Sequence, residues 1–174
     1  MRYIIFLIPL IILLAGCDQK AKYDKSAHSE AELTNEVINI VKDFAVSQLS
    51  NPTTSVDSTG IITMSDGQKK ILIDPRRIFT GLIDRDKETD AIATILIYLD
   101  EYSVIDEHLI LLHRNGCLEF VAAIDRNMKI LYLKKRKIVA EFHTKPRSSP
   151  LYNCHSCMKV VKYEYREEDL VEVK

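Results

Sequence analysis

The chain has 174 residues, 47% hydrophobic and 28% charged, with five Gly and five Pro. That composition supplies one hydrophobic core and excludes a collagen-like or low-complexity chain. Twenty-four Lys and Arg against 25 Asp and Glu leave a formal charge of −1, too little field to hold nucleic acid by its phosphates.

Met1, Arg2 and Tyr3 open the chain, and Ile4 to Ala15 is an apolar block interrupted only by Pro9. This has the form of a secretory signal, and it is shorter than the roughly 20 apolar residues a membrane span takes. The block ends in Leu14-Ala15-Gly16-Cys17. Those four residues resemble the lipobox of bacterial lipoproteins, with Leu at −3, small residues at −2 and −1, and Cys at +1. The resemblance implies a diacylglycerol on the Cys17 thiol, cleavage after Gly16, and acylation, commonly by palmitate, of the new amino group. Each buried CH₂ contributes about 0.8 kcal/mol and one chain alone holds only marginally, so two or three chains make a stable anchor. The implied address is the bacterial cell membrane, with the domain in the periplasm or another extracytoplasmic space. Asp18 resembles the inner-membrane retention signal of enteric bacteria, a rule that does not carry to all phyla, so inner and outer membrane both stay open.

The expected organisation is a signal peptide over 1–16, a flexible tether over 17–29 and a globular domain over 30–174. From Asp18 to Ser29 the residues are chiefly Lys, Gln, Asp, Ser, Ala and His, with almost nothing to bury. Ser29 and Glu32 fit a capping box. Leu33, Val37, Ile40, Val41 and Phe44 then recur at three- and four-residue spacing, which predicts an amphipathic helix over about 30–49, stopped at Asn51-Pro52.

Beyond Pro52 the period falls to two or to short apolar runs. Ile61 to Thr63 and Lys70 to Ile73 flank Ser65-Asp66-Gly67, a hairpin signal. Further strands are expected at Asp90 to Leu99, Glu107 to His113, Cys117 to Ile124, Met128 to Leu133, Ile138 to His143, Met158 to Tyr165 and Leu170 to Val173. Asn115-Gly116 and Asp125-Arg126-Asn127 are read as turns, and Lys134 to Lys137 as a solvated hairpin tip. Connections this short leave no room for crossover helices. The fold class is therefore α+β, a single domain with an N-terminal helix packed on a curved antiparallel meander. Its general shape resembles cystatin-like helix-on-sheet modules, an architectural likeness that carries no activity.

Two constellations could carry chemistry. Residues 79–92 resemble the acidic calcium loop of propeller-type repeats, with Asp84, Asp86 and Asp90 where a hard cation wants oxygen. Leu82 stands in place of the leading acid, and Arg85 and Lys87 replace glycines and oppose a cation's field. A charged turn is the favoured reading. The second constellation is Cys154-His155-Ser156-Cys157, with Cys117 elsewhere. In an oxidising compartment a disulfide is the default, and three pairings are open. A bridge from Cys117 to the later pair is favoured, because a long closed loop constrains the unfolded chain more than a four-residue ring. Cys117, Cys154 and Cys157 with His143 or His155 have zinc-ligand types, and Cys154-x-x-Cys157 allows thiol redox chemistry, but no βαβ unit surrounds it.

Asp106, Glu107, His108 and His113 offer acid–base groups, yet His108 and His113 point to opposite sides of a strand, and no Walker loop, Gly-x-Ser-x-Gly or His-Glu-x-x-His accompanies them. No cofactor, metal or catalysis is therefore expected. The function expected is a non-catalytic envelope lipoprotein that binds or scaffolds an envelope protein through a sheet edge or the concave face opposite the helix. The alternatives are a thiol-redox or zinc-dependent envelope protein using Cys154 and Cys157, and an immunity or inhibitor lipoprotein.

Overall fold

The computed structural model describes residues 30–100, 103–145, 149–150 and 154–174. The signal peptide, the lipobox with Cys17, the tether and the capping Ser29 lie outside the described residues. Helix α1 runs Glu30–Ser47 and buries Leu33, Val37, Val41 and Ala45, one residue per turn along one stripe. It ends where Asn51 takes a left-handed φ of 53°, ahead of Pro52. The Asp66 carboxylate accepts the Ser50 N–H at 3.0 Å, fixing the exit of the helix to the first hairpin. Asp66 also caps its own turn through the N–H groups of Gln68 and Lys69, and these donors draw its pKa down to about 2.

Among the described residues ten strands follow, all paired antiparallel, in two sheets. The first sheet is the meander β1 (Thr53–Val56), β2 (Ile62–Ser65), β3 (Lys70–Gly81), β4 (Asp90–Tyr98), β5 (Val104–Arg114) and β6 (Cys117–Asp125). The second is β7 (Met128–Lys134), β8 (Lys137–His143), β9 (Met158–Arg166) and β10 (Asp169–Val173), also paired in chain order. The α+β class stands, with one helix against two antiparallel sheets. The expectation of one continuous meander does not: at Arg126-Asn127 the chain leaves the first sheet instead of pairing back onto it.

Residue parity on the central strands explains the layering. Ala91, Ala93, Ile95 and Ile97 of β4, with Leu109 and Leu111 of β5, pack under α1. Ile92 of β4, with Ile110 and Leu112 of β5, packs against Met128, Ile130, Ile138, Val161, Tyr163 and Leu170 of the second sheet. Successive strand residues point to opposite faces, so one run of apolar residues feeds two cores. The layers are helix, first sheet, second sheet. The sheet face opposite the helix, expected as a contact surface, is thus covered by β7 to β10.

The corner residue Arg126 joins the layers. Its guanidinium reaches Asp169 at 3.0 Å and lies 5.3 Å from the centre of the Tyr163 ring, while its carbonyl accepts from His108 at 3.1 Å. Close approach of β3 and β7 needs a residue without a side chain: a Cβ on Gly81 would meet Leu133 Cβ at 3.2 Å. No helix among the described residues is long and apolar enough to cross a membrane.

Candidate functional site

The segment 82–89 closes β3 onto β4 and contains the calcium-loop resemblance. Ile83 is buried and anchors it, whereas Arg85, Lys87, Glu88 and Thr89 are exposed. Asp90, fully buried, is the hub: one carboxylate oxygen accepts the N–H groups of Ile83 at 2.7 Å and Asp84 at 3.3 Å, the other that of His113 at 3.0 Å. Asp84 accepts from Asp86 N–H and Asp86 from Glu88 N–H, each at 2.8 Å. The His113 ring donates to the Thr89 carbonyl at 3.0 Å. Burial pushes the Asp90 carboxyl up from its ordinary value, against the three N–H donors, and the nearby Asp84 charge adds to the rise.

The structure does bring Asp84, Asp86 and Asp90 together, with one oxygen of each within 4.8 Å of the others. Their donors are of the right type for a hard cation. In the geometry present, however, carboxylate oxygens of all three hold the loop's own N–H groups, so the acidic spacing is accounted for by a self-bonded turn.

The cysteines depart from expectation. Cys154 and Cys157 stand at disulfide-bonding distance, with Cα atoms 5.2 Å apart, and Cys117 is not part of the bridge. The topology gives the reason. Cys117 pairs with Arg114 at the tip of β5 and β6, whereas the Cys157 carbonyl accepts the N–H and hydroxyl of Thr144 just past the end of β8, beside Asn127 at the other end of β6, so a strand's length separates them. Bonded to each other, Cys154 and Cys157 offer no thiolate to zinc. His143, buried at the end of β8, places Nε2 3.3 Å from a Glu141 oxygen; the side chain of His155 lies outside the described residues.

His108 is buried in the layer between the sheets, and His113 lies at the loop end of the same strand, so the two do not meet. A neutral His108 ring donates from Nε2 to the Arg126 carbonyl and accepts the Thr94 hydroxyl at Nδ1 at 2.9 Å. Asp106, on the same face, pairs with Arg77 at 2.9 Å. Glu107 is pushed up by burial and points the other way. Asp106, His108 and His113 are therefore engaged in structure.

A cleft of about 340 Å³ escaped the sequence reading. It lies where residues 83–85 meet the tip of β7 and β8 and the end of β9, and Arg136 donates to the Arg85 carbonyl across it at 3.2 Å. The signal that could have found it is the tip itself: Lys135 and Arg136 form a two-residue connection without the Asn or Gly such turns favour. No known protein family, curated protein or solved structure matched the chain.

Proposed function

We propose that the chain is a lipid-anchored lipoprotein of the bacterial cell envelope whose domain acts as a non-catalytic binding or scaffolding module. Leu14-Ala15-Gly16-Cys17 at the end of an apolar block carries this reading, because the lipid chemistry needs a thiol at that place and small residues before it. Two features support the second half of the proposal. His108, Asp90 and Asp106 are committed to hydrogen bonds or an ion pair inside the fold. The edge strand β1 is exposed along its length and can take a partner. In this reading the amphipathic face of α1 caps a curved first sheet, and residues 17–29 set the domain's reach from the bilayer.

Replacing Cys17 by Ser tests the proposal. Palmitate labelling should be abolished and the signal peptide retained; a variant that labels and is cleaved like the parent removes the anchor. Capture of an envelope protein by the anchored chain, lost when Ser55 of β1 is replaced by Pro, tests the binding role.

The bonded Cys154-x-x-Cys157 pair favours one second reading, thiol redox exchange. Against it, Cys154 precedes a single turn of 3-10 helix, His155–Cys157, and caps nothing with its side chain. A reduction potential near −200 mV or more oxidising would support exchange, whereas structural bridges lie below about −300 mV.

A further inference from the structure

The cleft between the β3–β4 loop and the second sheet carries an inference that does not depend on the lipid anchor. Four cations line it, Arg85, Lys135, Arg136 and Arg166, against two carboxylates, Asp84 and Glu164. Arg166 is bound to Glu164, and the Arg136 guanidinium is held by the Arg85 carbonyl with donors to spare. Among the described residues, Arg85 and Lys135 form no ion pair. Four cations against two carboxylates, one of them bound to Arg166, leave an excess of positive charge on a concave surface.

The turn places both cations of the tip at the cleft. Lys135 and Arg136 hold φ of 51° and 63°, both left-handed, in a turn type that Asn-Gly fills without strain. The chain itself uses Asn115-Gly116 for the tip of β5 and β6, with φ of 55° and 83°. The tip of β9 and β10, Glu167-Glu168, takes the same conformation with φ of 50° and 64°, so what distinguishes Lys135 and Arg136 is that their two cationic side chains line the cleft.

We propose that this cleft binds a phosphate-bearing anion, with the Arg85 and Arg136 guanidinium groups and the Lys135 ammonium as its donors. A guanidinium matches two phosphate oxygens at once and an ammonium adds a point charge. The phosphate could be borne by a small molecule or by a lipid headgroup.

The test uses the full chain in zwitterionic detergent micelles, followed by the backbone amide signals of residues 83–85, 135–136 and 164–166. One arm adds inorganic pyrophosphate; the other adds short-chain phosphatidylglycerol to the micelle. Saturable shifts confined to the cleft in the first arm identify a soluble phosphate, and in the second a headgroup. The double variant Lys135→Asn with Arg136→Gly should raise the unfolding midpoint and weaken the binding at least tenfold. Arg85→Gln, in an exposed loop position, should weaken it without moving the midpoint. Absence of saturable shifts in both arms overturns the proposal, as does unchanged affinity in the folded variants.

Discussion

Burying an imidazole between two sheets makes its charged form expensive, and His108 shows the consequence. Burial lowers its pKa from 6.5 to about 4. Its hydrogen bond to the Arg126 carbonyl and the Asp106 charge work in the opposite direction, and the Arg77 and Arg126 charges add to the lowering. The sign for stability follows from which state binds more protons. Below the unfolded value of 6.5 the unfolded chain takes up a proton that the fold refuses, so stability is intact above pH 6.5 and falls until about pH 4. At about 1.4 kcal/mol per pH unit, the full loss is about 3 kcal/mol. Urea unfolding at pH 7, 5 and 4 should show that decline, and His108→Gln should flatten it. Asp90 acts with the other sign, since its raised pKa favours the fold as pH drops through the carboxyl range. Its role also marks a limit of sequence reading. Alternating Asp84, Asp86 and Asp90 were visible, but a carboxylate turned to the loop's own N–H groups and one turned to a cation need the same spacing.

Strand β3 departs most from expectation, which ended it at Ile73. The strand continues to Gly81 by bulging. Ile73 pairs with Ile95 and Ile78 with Ala93, so 74–77 stand outside the ladder and Pro75 needs no donor. Asp74 accepts the Arg76 N–H and its guanidinium, which holds the bulge together. The bulge also delivers Arg77 to Asp106, an aspartate only 5% exposed. The pairing of distant charges across a bulge leaves no local pattern, so it could not be read beforehand; the exposed polar strand β1 was missed for lack of any apolar alternation. Removing one partner of a buried pair strands the other charge, which costs about 3–5 kcal/mol, whereas an apolar pair of similar volume is often neutral. Arg77 is partly exposed, so Arg77→Met should lower the urea-derived stability by at most that amount, and Arg77→Met with Asp106→Leu should recover most of the loss. Equal losses in the single and double variants would mean that the bulge, not the charge, sets the cost.

At the scale of the molecule, the run Ala91-Ile92-Ala93-Thr94-Ile95-Leu96-Ile97 stated more than a strand. An antiparallel strand apolar on one face needs one cover, and a strand apolar on both needs two. One helix can cover only one face, so a second layer was implied by β4 and β5, though not which later strands would form it. The turn at Asp125-Arg126-Asn127 looks the same whether it returns to its sheet or starts another. The shared wall has a thermodynamic consequence. Ile110 and Leu111 are adjacent in β5, both fully buried, yet one belongs to the inter-sheet core and the other to the core under α1. Truncating either to Ala should cost about 2–5 kcal/mol, against a typical total of about 5–15. If the first sheet couples the two cores, each variant lowers the stability of the whole domain. Urea transitions followed by far-ultraviolet circular dichroism and by the ring proton signals of Tyr163 and Tyr165 in the second sheet should then coincide and shift together. Separation in the Leu111→Ala variant, with the tyrosine transition left at the parent midpoint, would show that the second sheet unfolds independently of the helix-covered core.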